Sequence, residues 1–275
     1  MSQHGKGSSY HLLNWTKMPR EELAENLEKI IDIPFVKISP DCYWVPDRAK
    51  GNNKELILPE FCNRYCRDYE EFDVNEFTNW WLKGGTNPTW DFLSTCTIKG
   101  KKGIVLVEAK SHSNELKREG KSIKIDEEIY PLEELENLLY EKIKSSKDGK
   151  LMIKRVLKKL NNHDKIGQCI AEARGALSGW IPKINISRDD HYQLSNRIAC
   201  TWKLAQCGVP SVLLYLGFTK DNHWSEIDQI RSKDEWDRIV WSYFSEVGAN
   251  RLLDHKTITL RNGCTANFCA GVIEL

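Results

Sequence analysis

The chain has no apolar run close to the ~20 residues that a membrane span requires. Its first ten residues, MSQHGKGSSY, hold no apolar signal core, so the expectation is a cytoplasmic protein and not a secreted one. Net charge is nearly absent: 40 Lys and Arg face 39 Asp and Glu, a formal balance of +1. A nucleic-acid partner therefore gains no support from the overall charge, and any basic surface has to be local. No CxxC pair occurs. The nine cysteines are odd in number and scattered, and the closest pairs are Cys62/Cys66 and Cys264/Cys269. That pattern fits reduced thiols better than a disulfide framework or a zinc knuckle. Neither GxxxxGK[ST] nor GxGxxG is present, which argues against nucleotide-driven chemistry. Internal repeats and a clean linker are lacking too, so the 275 residues read as one domain.

Hydrophobic residues make up 40% of the chain and charged residues 29%, the balance of a soluble globular protein. Ten Trp point to a substantial core or an aromatic groove. Residues 1–9 read as a disordered tail. Helices are expected over 19–31, 59–70 and 73–83, the last with Asp73 as N-cap, Glu76 at capping-box spacing and Gly84–Gly85 as the stop. IPFVKIS at 33–39 suggests a short strand, and 40–57 an irregular loop. The runs 89–98 and 103–111 read as a hairpin around KGKKG. Residues 112–188 read as a largely helical insertion: an acidic stretch (IDEEIYPLEELENLLYE), then a basic helix near 150–160 with Lys154 and Lys158 on one face and Ile153, Val156, Leu157 and Leu160 on another. A helix over 189–206, capped by Asp189 or Asp190, leads to the apolar run SVLLYLGF at 211–218. Strand, helical crossover and strand make the pattern of a partly parallel sheet. A helix near 233–247 and a strand at 255–261 complete the reading.

One stretch resists a purely structural account. GIVLVEAKSH (103–112) reads as a buried strand, yet it ends in Glu108 and Lys110. Strand side chains alternate, so these two charges share a face with Ile104 and Leu106, while Val107 and Ala109 take the other. Such charges are costly at the end of an apolar strand unless paired or coordinated. The plain alternative is an ion pair at an exposed strand end. Acid-x-Lys also occurs at Glu115/Lys117, Glu119/Lys121, Asp148/Lys150 and Asp254/Lys256, but only Glu108/Lys110 closes a strongly apolar run. Only it follows a partner strand with its own lone acid, Asp91. A hairpin brings Asp91 beside Glu108 across the ladder, and a divalent cation resolves the repulsion between them. Oxygen ligands without His or Cys favour Mg2+ or Mn2+.

NPTWD (87–91), VEAK (107–110) and a later helix holding Gln193 and Arg197 together resemble the PD-(D/E)xK nuclease superfamily. The likeness spans roughly 70–111 and 189–218, and Pro88 stands two residues further from Asp91 than the motif has it. The resemblance implies an α/β, restriction-endonuclease-like core: a mixed central sheet flanked by helices. It implies Asp91, Glu108 and the main-chain carbonyl of Ala109 as metal ligands and Lys110 as the catalytic lysine. It also implies a role for Gln193 and Arg197, with Asn196 beside them, on phosphate or in support of Lys110; a solvated polar stripe is the alternative. A further carboxylate from the preceding helix is sought among Glu60, Glu71 and Glu76, although the capping box is the simpler assignment for Glu76 and solvation for Glu71. The expected activity is metal-dependent hydrolysis of phosphodiester bonds in nucleic acid, DNA foremost, with a homodimer as one arrangement. Two alternatives stay open: a catalytically silent protein of the same fold that binds nucleic acid or a partner protein, and a metal-dependent enzyme on another substrate. The basic helix and the Trp80/Trp81 pair could serve nucleic acid, but acidic neighbours for the one and core packing for the other are the simpler assignments.

Overall fold

The computed structural model describes residues 7–51, 55–69, 72–82, 87–125, 128–130, 149–224 and 229–275. Nine strands are described: β1 (Val36–Lys37), β2 (Trp44–Val45), β3 (Phe92–Ile98), β4 (Lys101–Lys110), β5 (Ile123–Ile125), β6 (Glu128–Tyr130), β7 (Ser211–Thr219), β8 (Thr257–Thr259) and β9 (Thr265–Glu274). Seven of them form one mixed sheet in the order β1-β3-β4-β7-β9-β8, with β2 also on the outer edge of β3. β3 and β4 are antiparallel; β4, β7 and β9 run parallel; β8 returns antiparallel to β9. The protein is thus α/β, with helices on both faces of a mixed sheet.

The central strands follow from their composition. Parallel strands covered on both faces read as near-continuous apolar runs, and all nine residues of β7 are buried. One face of the sheet carries Ile104, Leu106, Leu213, Tyr215, Ala266 and Phe268, packed under the helices Leu58–Tyr65, Val74–Trp80, Tyr192–Gln206 and Lys233–Glu246 and the distal half of Gly149–Leu177. The other face carries Val105, Val107, Ala109, Val212, Leu214 and Leu216 beneath the helices Ser8–Trp15 and Arg20–Ile31. The predicted alternation along β4 holds residue by residue.

Several expectations are corrected. The hairpin turn is two residues, Lys99 and Gly100, both at positive φ (52° and 79°). That is the tight-turn conformation matched to strand twist, so Lys101 and Lys102 belong to β4 and not to the loop. The expected irregular loop at 40–57 contributes β2, and its last residues run antiparallel to the segment before β3 through an Ile57–Thr89 bridge. Residues 8–9 begin a helix and are not a tail. Neither Asp189 nor Asp190 caps the helix Tyr192–Gln206. His191 takes the N-cap position in left-handed geometry (φ 46°), and Asp190 Oδ1 lies 2.7 Å from His191 Nδ1. The long strand β9 went unpredicted, because its Ala, Gly, Asn and Cys residues break the β-branched pattern. In the basic part of the long helix Val156 is buried, but Leu157 is half exposed. The acidic stretch, Gly84 and Gly85 lie largely or wholly outside the described residues.

Candidate functional site at the end of the parallel strands

The β3–β4 register pairs Phe92 with Val107. Carried one step further, it sets Asp91 opposite Glu108. The ladder ends there in backbone terms, and a side chain continues it: the Ala109 N–H donates to Asp91 Oδ2 at 2.7 Å. In an extended strand a residue's N–H and C=O face the same edge, so the Ala109 carbonyl is turned toward Asp91 as well.

Glu108 and Lys110 pair with each other, but not at an exposed strand end. Glu108 is 2% exposed and Lys110 6%. Lys110 Nζ donates to Glu108 Oε1, and Arg197 Nε donates to Glu108 Oε2 at 2.7 Å. Arg197 comes from the helix Tyr192–Gln206, which is buried almost all round and is no solvated stripe. Its guanidinium makes further contacts: Nη1 donates to Asn196 Oδ1 (3.0 Å), Nη2 to the Thr89 carbonyl (2.8 Å), and Cζ lies 4.2 Å from the centre of the Trp90 ring. Arg197 therefore locks the helix both to Glu108 and to the segment that delivers Asp91.

The two carboxylates are pushed apart in acidity. Burial works against a charge on Glu108, yet Arg197 and Lys110 outweigh it and hold the group below the ordinary glutamate value. Asp91 is pushed up to about 7, first by burial and then by the Glu108 charge, against the pull of Lys110 and the Ala109 amide. Two adjoining carboxylates whose surroundings push their acidities apart mark this strand end as the candidate site.

Three neighbours were not read from the sequence. Tyr215 is the β7 partner of Glu108 in register, fully buried, and its hydroxyl finds no hydrogen-bond partner among the described residues. Burial, then Tyr243 and Glu108, hold its phenol well above the usual range. Trp236 packs on Gly217, the partner of Lys110, where an added Cβ would lie 2.8 Å from the indole. The third is Glu55. It lies two residues before the Ile57–Thr89 bridge, at an exposed position. Desolvation by neighbouring groups, and then the Glu108 charge, raise its pKa. Only an apolar triplet, Leu56–Ile57–Leu58, hinted that this segment is extended and docked.

The other expected residues sit as follows. Gln193 lies one helical turn before Arg197, and its Oε1 is buried with no partner among the described residues. Glu76 does not join Asp91 and Glu108; it accepts from Lys203 Nζ at 2.9 Å, which lowers its pKa. Nor does its carboxylate complete a capping box: Asp73 Oδ1 takes the Asn75 and Glu76 amides, while the return bond is not made. Glu60 pairs with Arg64 one turn along, and Glu71 lies outside the described residues. Trp80 and Trp81 are core.

Comparison of this chain with family models, with curated proteins and with solved structures finds no match. Among the described residues no helix is long and apolar enough to cross a membrane.

Proposed function

We infer that this protein is a metal-dependent nuclease with a restriction-endonuclease-like core, a member of the PD-(D/E)xK class acting on phosphodiester bonds of nucleic acid, DNA foremost. The observation that carries the reading is the convergence of Asp91 and Glu108 at one strand end, beside a buried Lys110 that shares Glu108 with Arg197. Asp91, Glu108 and the Ala109 carbonyl would hold Mg2+ or Mn2+. All are oxygen donors of the kind hard cations take. The unpartnered oxygens of Tyr215 and Gln193, and the repulsion that raises Asp91, are what a cation in such a site would relieve. Bound there, the ion would supply charge neutralisation and an acidified water.

The chain's own residues do the rest. Glu108 fixes the Lys110 ammonium, whose positive charge stabilises phosphate oxygens as negative charge grows on them. Arg197 is committed within the protein and acts as a positioning residue for Glu108 and for Asp91. Asn196 Oδ1 in turn accepts from Arg197, so both belong to the support of the carboxylate cluster.

A second reading has its own support. Both oxygens of Glu108 already carry cationic donors, as in a structural ion knot, and a silent protein that binds nucleic acid or a partner protein would keep such a knot. Incubation with plasmid, linear and single-stranded DNA and with RNA, in Mg2+, Mn2+ or EDTA, separates the two. Metal-dependent cleavage lost in both Asp91→Ala and Lys110→Ala, at unchanged circular dichroism, supports the nuclease. Cleavage that survives both substitutions, or no cleavage of any substrate, defeats it.

A further inference from the structure

A second group of side chains stands at the same end of the sheet, on the opposite face. His11 reaches in from the N-terminal helix, its Nε2 2.7 Å from Asp221 Oδ2. His223 Nδ1 lies 2.8 Å from Asp221 Oδ1, and the His223 amide donates to that same oxygen at 3.1 Å. Their ligand atoms all fall within 4.8 Å of one another. Asp221 follows the end of β7 by two residues and is 1% exposed; His11 is 7% exposed, while His223 is 48% exposed.

We propose that His11, Asp221 and His223 bind a divalent cation of the zinc class, at a site separate from the carboxylate cluster. Two imidazole nitrogens and one carboxylate oxygen are the donor set of borderline metals and are poorly matched to Mg2+. Three protein ligands leave a fourth position, and the half-exposed His223 opens it to solvent. A carboxylate this buried needs compensation, and its hydrogen-bond partners in the structure are these two imidazoles and one amide. The cluster joins segments 210 residues apart, so an ion there staples the N-terminal helix to the strand end. It also fixes the turn that carries Trp224. That indole donates to Ser111 Oγ at 3.1 Å and lies 4.0 Å from the His112 ring, directly after Lys110. Occupancy of the imidazole site thereby sets the loop beside the carboxylate cluster.

The inference does not rest on nuclease activity, and its test does not measure it. EDTA-stripped full-length chain carrying Asp91→Ala, which disables the oxygen cluster, is titrated with Zn2+ in a calorimeter. One equivalent should bind, unaffected by excess Mg2+, and the added substitution His223→Ala should weaken it by at least about tenfold. His223 is half exposed, so its loss spares the core. Replacing it by cysteine and loading Co2+ should restore binding and add a sulfur-to-cobalt charge-transfer band that the Asp91→Ala chain lacks. Zinc uptake that is absent, or equal with and without His223, overturns the proposal, as does a cysteine variant without the band. The three residues are then only a hydrogen-bonded fastener for the helix.

Discussion

Around the C-terminal ends of β4 and β7, Asp91, Glu108, Lys110 and the helix residue Arg197 gather on one face of the sheet, and Asp221, His223 and the helix residue His11 on the other. Both groups bury a carboxylate almost completely, Glu108 at 2% and Asp221 at 1%. They compensate it differently. Glu108 is flanked by two permanent cations, so it stays ionised and passes its repulsion to Asp91. Asp221 is flanked by imidazoles, which can carry a proton or give a lone pair to a metal. On the nuclease reading proposed above, the first arrangement is an all-oxygen site framed by positive charge, which would suit a phosphate and a hard ion. The second builds a nitrogen-rich site suited to a softer ion and to holding segments together. Alternation along β4 sets Glu108 and Lys110 on one face, whereas Asp221 leaves β7 past Lys220, which is at positive φ, and meets His11 of a helix on the other.

The largest effect that would test this contrast is loss of cleavage. Asp91→Ala and Lys110→Ala are each expected to lower the rate by about 10^2–10^3-fold in initial-rate assays, while Asp91→Ala retains its zinc equivalent. Next comes stability. Glu108→Ala leaves Lys110 and Arg197 buried without their counter-ion and should cost about 3–5 kcal/mol in urea unfolding. A Glu108→Ala chain as stable as wild type would mean that the knot is solvated.

The pH response follows in size. The folded-state value of Asp91 lies above its ordinary one, so the folded chain binds this proton more tightly than the unfolded chain does. Its contribution to stability is full below about pH 4 and is lost as pH rises to about 7. The slope from this group is at most ~1.4 kcal/mol per pH unit. Asp91→Asn should flatten it in urea titrations between pH 4 and 8, and saturating Mg2+ should flatten it in wild type by favouring the charged form. Cleavage should rise as pH climbs through about 7. Glu108, held below its ordinary value, contributes the opposite slope, and only at more acid pH.

The smallest expected difference separates two glutamates. Glu55→Gln should slow cleavage by about tenfold, whereas Glu76→Gln, tied to Lys203, should stay within about twofold of wild type. Equal effects would remove Glu55 from the site.

Strand alternation, the apolar runs around Glu108 and Tyr215, and the strand–helix–strand order were written in local sequence. Residue periodicity is a local property, and it places Glu108 and Lys110 on one face and Asp91 beside them. It also marked the helix that carries Arg197. Depth was not legible there: whether Glu108 and Lys110 end in water or under a helix depends on packing by distant segments. The choice among Glu60, Glu71 and Glu76 was equally closed, since Arg64 takes Glu60 and Lys203, from a distant helix, takes Glu76. The meeting of His11 with Asp221 across 210 residues leaves no periodic trace at all. By itself the sequence determined which side chains share a strand face, because that follows from backbone geometry. Only the tertiary structure decided which charges are buried together, because desolvation and pairing are set by what covers them.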